Sequence, residues 1–175
     1  WITDAIEEAK IAEPAYITEG NLSIKSFILN QLIIYHRITL KRCLPCIWDG
    51  LKDAQRKALY GILNSLYGSQ GRKELVALTG EIKSITNYHH GDESLQQAVI
   101  KMGQGFVGGN NIPYIVEDGQ FGTRKEQGKD HSKARYLQTS LEDIIKKIFI
   151  NLDNPILTHN YDNGKPIEYS FYIPI

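Results

Sequence analysis

An α+β fold is predicted by three stretches of helical periodicity followed by two short extended segments. Apolar residues recur at helical spacing within residues 51–66, 75–85 and 95–106. Residues 112–116 and 120–123, divided by an aspartate and a glycine, are typical of a β-hairpin. Three short helices followed by such a hairpin are the plan of a winged helix-turn-helix domain. That plan favours DNA binding and implies no chemistry.

The first of these helices is expected to start near Leu51, with the side chain of Asp49 as its cap. Before it, residues 26–38 are apolar enough for a buried helix or strand. Gly68 and Gly71 end the helix.

The second helix has Leu75, Leu78, Ile82 and Ile85 on one face, and a break at residues 86–91 follows it. The third helix carries acids in its first turn, as a helix start prefers, and a Gly-Gly-Asn-Asn run stops it. The apolar positions of the third helix and of a last helix are Leu95, Ala98, Val99, Met102 and Phe106, and Leu141, Ile144, Ile145, Ile148 and Phe149.

Three regions are expected along the 175 residues. Residues 1–24 are acidic and interrupted by Pro14 and Gly20, which is typical of a linker or the end of a preceding domain. Residues 25–140 form the winged-helix domain, and residues 141–175 begin a second domain. The chain opens on Trp1 and stops within an apolar stretch, so we expect a segment of a longer protein.

Composition excludes some classes of protein and charge suggests a partner. The apolar runs are far shorter than the ~18 residues of a membrane span. The two cysteines are too few for a disulfide scaffold and fit a reducing, intracellular compartment. Net charge is zero, yet six bases oppose two acids within residues 37–57, and five oppose two within residues 124–135. Two such basic segments either converge on one phosphate-facing surface or are ordinary solvated faces.

Tyr136 directly follows Arg135 in a stretch of glycines and bases. A phenol of pKa ~10 is a poor nucleophile unless positive charge or a base favours the phenolate, and Arg135 can supply that charge. In an extended segment the two side chains would point to opposite faces, and Arg135 would instead grip a phosphate elsewhere. An Arg-Tyr pair is also common as ordinary surface.

Two other pairs have both a chemical and a structural interpretation. His89 and His90 stand at a helix start, where a histidine can bind phosphate, move a proton or simply cap the helix; no partner lies at a metal-ligand spacing. Cys43 and Cys46 flank Leu-Pro, as in thiol oxidoreductases. The strand that should precede such a redox motif is missing, so we expect no redox activity.

Several motifs stand in a fixed order along the chain. Residues 42–57 read Arg-Cys-Leu-Pro-Cys-Ile-Trp-Asp-Gly-Leu-Lys-Asp-Ala-Gln-Arg-Lys, and residues 88–95 read Tyr-His-His-Gly-Asp-Glu-Ser-Leu. Gln-Gly-Phe-Val-Gly-Gly-Asn-Asn, Gly-Gln-Phe-Gly-Thr-Arg and Gly-Lys-Asp follow, then Ala-Arg-Tyr at 134–136 and Tyr-Ile-Pro-Ile at 172–175. Together they resemble the breakage-reunion region of type II DNA topoisomerases. The unbroken His-His pair is similar to the eukaryotic and viral enzymes rather than bacterial gyrase, and the divergence is like that of a large cytoplasmic DNA virus. Asp53 and Ala54 depart from the family's Pro-Gly.

The resemblance implies that Tyr136 attacks a backbone phosphorus and forms a 5′-phosphotyrosine, in a transient double-strand break through which another duplex passes. Arg135, Arg56 and His90 would surround the phosphate, with His90 the better candidate for proton handling. The residues that would bind DNA are Lys52, Lys57, His89, Arg124, Lys129 and Lys133.

The resemblance also implies cofactors and partners outside this segment. Mg²⁺ would be held by an upstream domain, ATP used by another domain, and two copies would form a homodimer on double-stranded DNA. No metal ligands are expected in this chain. Residues 141–175 would begin a tower-like α/β domain, and the enzyme would work in the nucleus of a cell or in the host cytoplasm of a virus. The alternative left open is a non-catalytic winged-helix DNA-binding module, which places no demand on Tyr136.

Overall fold

The computed structural model describes residues 22–69 and 71–174. The chain divides into two compact units, Trp1–Pro45 and Cys46–Ile175. The predicted linker lies almost entirely outside the described residues, and the predicted boundary at residue 140 stays a prediction.

The first unit is helical over its described part. Helix α1 is Ile24–Phe27, a π-helical stretch covers Ile28–Leu32, and helix α2 is Ile33–Cys43. The prediction that this stretch is buried is wrong, because none of these helical residues is buried and several large apolar side chains are exposed. Leu44 then adopts an extended conformation, as a residue before proline prefers.

In the second unit, helix α3 spans Asp53–Leu66 and starts two residues later than predicted. Its N-cap position is Lys52, whose backbone N–H donates to the Gln55 side chain at 2.9 Å. The predicted capping by Asp49 is therefore wrong. That carboxylate instead accepts from the Leu51 backbone at 2.9 Å and from a buried arginine.

Two further helices complete the helical layer. Helix α4 is Leu75–Thr86 and helix α5 is Asp92–Gly103, and both pack against α3 and against each other. This confirms the second and third predicted helices, although Phe106 lies beyond the end of α5 and Ile85 is 38% exposed. The core between these elements and the C-terminal part is made of Leu51, Ala58, Leu59, Ile62, Leu66, Leu75, Leu78, Ile82, Tyr88, Leu95, Val99, Ile100, Met102, Ile115, Phe121, Ala134, Leu137, Leu141, Ile145, Phe149, Leu157 and Tyr172.

The predicted β-hairpin between residues 112–116 and 120–123 is wrong. Strand β1, Lys73–Glu74, pairs antiparallel with strand β2, Gln138–Thr139. Single bridges join Ile115 to Leu141 and Asp118 to Gln138, so the 112–118 segment pairs with residues beyond Tyr136. The backbone partners that a local hairpin would need are taken by this distant strand.

The C-terminal part adds a helix and a second sheet. Helix α6 is Asp143–Ile148, which confirms the last predicted helix over a shorter range, and a 3₁₀ helix covers Asn151–Ile156. Strands β3, His159–Asp162, and β4, Lys165–Tyr169, form an antiparallel hairpin. Asn163 and Gly164, at φ 49° and 76°, make its two-residue turn. Short helices with two small sheets confirm the predicted α+β class. None of the described helices is long and apolar enough to cross a membrane.

Candidate functional site

Tyr136 is the last residue of a short 3₁₀ helix, Ala134–Tyr136, which precedes strand β2. Ala134 and Leu137 on either side of it are buried in the core, whereas Tyr136 is 67% exposed. The helix is closed by the Tyr136 N–H, which donates to the Lys133 carbonyl at 2.9 Å. Two buried neighbours thus hold an exposed phenol at a defined place on the surface.

Arg135 lies against the ring of Tyr136. The guanidinium carbon is 5.1 Å from the ring centroid, within the range of a cation–π contact. The expectation that an extended backbone separates the two side chains is wrong, because the 3₁₀ turn brings them to the same side. A cation beside the phenol favours its ionised form and can meet a phosphate that approaches the hydroxyl.

The loop before Tyr136 is built on Gln104, which follows α5 and is buried. Its side-chain amide donates to the Phe121 carbonyl at 2.7 Å and to the Gly128 carbonyl at 3.1 Å. Gly122 has φ +108°, and a Cβ atom there would lie 2.7 Å from the Cα of Gly128. Glycine is required where the two backbone segments cross so closely.

Asp130 closes the same loop from the solvent side. Its carboxylate accepts from the backbone N–H and the hydroxyl of Thr123, each at 2.8 Å. These hydrogen bonds, the backbone one first, hold the pKa of Asp130 below its ordinary value despite some desolvation. Asp130 is therefore an anion that folds the loop, in a segment otherwise rich in bases.

Exposed cations surround the tyrosine in sequence. Five of the predicted site residues, Lys52, Arg124, Lys129, Lys133 and Arg135, are exposed, and none makes an ion pair within the described residues. Lys125, which the prediction left out, is exposed as well. Uncompensated exposed cations are what a phosphate backbone requires.

Two clefts divide these cations. Lys133 and Arg135 border a cleft of about 410 Å³ whose other wall includes Glu93 and Gln96 of α5. Arg124 borders a second cleft, of about 480 Å³, together with Lys101 and other residues near the start of α3 and the end of α5. The structure therefore places the tyrosine loop beside the third helix.

Arg56 is held apart from this surface. It is 4% exposed, and its Nε and Nη2 donate to the Asp49 carboxylate at 2.7 and 3.0 Å, with a further Nη2 bond of 2.8 Å to the Leu51 carbonyl. Burial raises the pKa of Asp49, but hydrogen bonds from Arg56, Leu51 and Tyr172 outweigh it and place that pKa below the ordinary value. A role for Arg56 at the phosphate stays a prediction, and this ion pair argues against it.

Lys57 is also engaged. Its Nζ donates to Glu168 Oε2 at 2.7 Å and to the Thr86 carbonyl at 3.2 Å, and its side chain is 15% exposed. Glu168 is 1% exposed and also accepts from the Asn160 amide at 2.9 Å. Lys57 thus links α3, the end of α4 and strand β4, and the prediction that it binds DNA is not supported by its contacts.

The two histidines lie in the turn between α4 and α5 and are exposed. His90 packs edge-on against the buried ring of Tyr88 at 5.4 Å between centroids. His89 Nε2 lies 3.5 Å from Asp162 Oδ2, on the β3–β4 hairpin. No hydrogen bond, ion pair or ring contact joins Tyr136 to His90 or Arg56 in the described part of the chain.

The residues that support the site were not predicted from the sequence. Asp49, Gln104, Asp130, Asp162 and Glu168 act through partners that are distant in sequence, which no local pattern reveals. One signal was available: Asn163-Gly164 is the strongest short-range sign of a β-hairpin, and it predicts the hairpin that carries Asp162 and Glu168.

Metal and redox chemistry have no constellation here. Across residues 22–69 and 71–174, no group of three His, Cys, Asp or Glu side chains converges where it could hold a metal ion. Both Cys43 and Cys46 are free thiols.

Comparisons with known proteins agree with the motifs. A family model described as DNA gyrase/topoisomerase IV matches residues 42–175. DNA topoisomerase 2 of Plasmodium falciparum is 43% identical over 158 residues, which are 90% of this chain and 11% of that protein. DNA topoisomerase 2 of Invertebrate iridescent virus 6 is 40% identical over 154 residues, which are 88% of this chain and 13% of that protein.

A solved structure matches nearly the whole chain. It is the crystal structure of the Plasmodium falciparum topoisomerase II DNA-binding, cleavage and re-ligation domain, with a TM-score of 0.82 and 40% identity. The match covers 99% of this chain and 24% of that one, and it confirms the predicted winged-helix class. The chain spans about a tenth of the length of the curated relatives it matches.

Proposed function

Because the chain belongs to the DNA gyrase/topoisomerase IV family, we propose that it is the DNA-cleaving segment of a type II DNA topoisomerase, with Tyr136 as the nucleophile. The relatives named DNA topoisomerase 2 confirm the predicted resemblance to the eukaryotic and viral kind. The observation that best supports the nucleophile is an exposed phenol, fixed between buried neighbours, with the Arg135 guanidinium 5.1 Å from its ring.

The proposed step exchanges one phosphate ester for another. The Tyr136 oxygen forms a bond to a backbone phosphorus, the bond from phosphorus to the 3′ oxygen breaks, and a 5′-phosphotyrosine and a 3′-hydroxyl result. The phenol proton leaves to a base, and the 3′ oxygen gains a proton. Since no ester bond is lost, resealing needs only the reverse attack.

Named residues take parts in this step. Arg135 stabilises the charge on the phosphoryl oxygens, as a cation fixed beforehand can do. His90, exposed at the start of α5, is the proposed proton carrier. Lys52, His89, Arg124, Lys129 and Lys133 hold the duplex through its phosphates without reading sequence.

Other parts of the activity belong to a longer protein. We propose that Mg²⁺ is held by another domain, since no cluster of suitable ligands occurs among the described residues. ATP use, a homodimer that cuts both strands and passes a duplex between them, and an intracellular location are proposals from the family. So is the assignment of residues 141–175 to a tower-like domain.

Covalent capture tests the nucleophile. The full-length protein, Mg²⁺ and duplex DNA labelled at both ends are mixed, stopped with detergent and separated, and the DNA-linked peptide is identified by mass spectrometry. We expect the 3′-labelled fragment on the protein, the 5′-labelled fragment free, and the nucleotide on the peptide that contains Tyr136.

Two variants sharpen the experiment. Tyr136→Phe should bind DNA and form no adduct. Tyr161→Phe is the matched control, because Tyr161 is 68% exposed against 67% for Tyr136 and belongs to the same unit. Adducts that persist in Tyr136→Phe rule out this nucleophile. A wild-type protein that binds DNA and forms no adduct supports the non-catalytic DNA-binding module instead.

A further inference from the structure

The hairpin β3–β4 reaches the turn that carries the two histidines. Asp162, the last residue of β3, accepts a hydrogen bond at Oδ2 from the side-chain amide of Asn87. The same oxygen lies 3.5 Å from His89 Nε2. The neighbouring residues Asn163 and Gly164 form the tight turn at the tip.

The base of the hairpin is anchored, so its tip is placed accurately. Buried Glu168 pairs with Lys57 of α3 at 2.7 Å, and Lys57 also binds the Thr86 carbonyl at the end of α4. His159 stacks on Tyr169 with ring centroids 4.3 Å apart, and its Nδ1 lies 2.6 Å from the Ile167 carbonyl oxygen. The hairpin is thus tied to the same helix end from which the histidine turn departs.

The turn itself has few internal supports. Asn87 has φ 48°, a left-handed conformation, and its N–H and that of Tyr88 both donate to the Lys83 carbonyl. A surface ion pair, Lys83 Nζ to Asp92 Oδ1 at 2.6 Å, spans the turn. Exposed pairs of this kind stabilise weakly. Asp162 is therefore a fixed, charged contact from outside the two helices.

We propose that Asp162 is a positioning residue for DNA cleavage, which holds the His89–His90 turn in the orientation that the phosphate requires. The inference rests on the proposed function. A carboxylate that accepts from a histidine ring nitrogen selects its tautomer and fixes the ring plane. Through Asn87 the same carboxylate fixes the backbone that precedes His90.

The test uses the full-length enzyme with Mg²⁺ and duplex DNA. Asp162→Asn keeps a side-chain oxygen for Asn87 and removes the charge that faces His89. We expect the rate of adduct formation at saturating DNA to fall roughly fivefold, while the Kd for DNA changes by less than about twofold. Asp143→Asn, the same chemical change at an exposed acid paired only with Lys146, should leave both values unchanged.

A second variant covers the case in which Asp162→Asn unfolds. Asn87→Gly suits the left-handed backbone and removes only the side-chain bond to Asp162, so it should slow the same step. In a double-mutant cycle, His89→Gln combined with Asp162→Asn should be no slower than the slower single variant.

The proposal is overturned if Asp162→Asn and Asn87→Gly both keep the wild-type rate at saturating DNA. It is equally overturned if only the Kd changes, or if the two substitutions in the cycle add. Tyr136→Phe is measured alongside. Adducts that persist there reject the proposed nucleophile, whereas adducts lost there with a normal rate in Asp162→Asn reject the positioning role alone.

Discussion

Replacing Gly61 by alanine probes the contact between helices α3 and α4. Gly61 is buried in α3, and a Cβ atom there would lie 2.5 Å from Cγ1 and 2.9 Å from Cα of Ile82. Ile82 is fully buried in α4, so it cannot withdraw from the added methyl group without a shift of the helix.

Two opposing effects set the magnitude. Alanine stabilises a helix interior over glycine by about 1 kcal/mol. Overpacking a closed core destabilises by about 1–3 kcal/mol, and a backbone atom among the contacts favours the upper end. We therefore expect Gly61→Ala to lower the free energy of unfolding by about 2 kcal/mol.

Gly80→Ala is the matched control. Gly80 lies in α4, is exposed, and has no atom within 4 Å of a built Cβ. The same chemical change should stabilise there by up to about 1 kcal/mol. Urea unfolding of the 175-residue chain, followed by circular dichroism, measures both variants. A Gly61→Ala chain as stable as the wild type would refute the close packing of these helices.

Three further predictions follow from the site and its supports. Asp49→Asn should lower the free energy of unfolding at pH 7 by about 3 kcal/mol, because Arg56 stays buried without its counter-charge. The folded pKa of Asp49 lies below its unfolded value, so its contribution is full above the unfolded pKa and lost as the pH falls through the folded pKa; urea titrations at pH 7 and in acid should converge, and a constant difference would contradict this. Arg135→Ala in the full-length protein should slow single-turnover cleavage roughly 10²-fold with little change in DNA affinity, and an unchanged rate would exclude Arg135 from the chemistry. Tyr172→Phe removes a hydroxyl that is buried without a hydrogen-bond partner among the described residues and should stabilise by about 1 kcal/mol in thermal unfolding; a lower melting temperature would reveal a partner for that hydroxyl.

Local patterns predicted the helices well. Apolar spacing located α3, α4 and α5, because a helix buries one face every three to four residues whatever it packs against. The ends were less accurate. Asp49 has the residue type of a cap, but its carboxylate serves Arg56 and the Tyr172 backbone, which lie seven and 123 positions away in sequence.

Strand pairing could not be predicted locally. Residues 112–123 have the pattern of a hairpin, yet Val116 N–H donates to the Ser140 carbonyl at 2.9 Å and Gln138 N–H to the Asp118 carbonyl at 2.9 Å. Extended segments need partners for their backbone groups, and the alternation of side chains does not say which segment provides them.

The sequence by itself determined the family motifs, the α+β class and the candidate Tyr136 with its neighbour Arg135, since these depend on residue identity and local spacing. Only the tertiary structure decided which cations are available to a phosphate. Lys52 and Arg124 are exposed without ion-pair partners in the described chain, whereas buried Arg56 and half-buried Lys57 are each paired with an acid. The physical reason is that a charge is neutralised by whatever the fold brings within a few ångströms of it, and that distance is not written in the order of the residues.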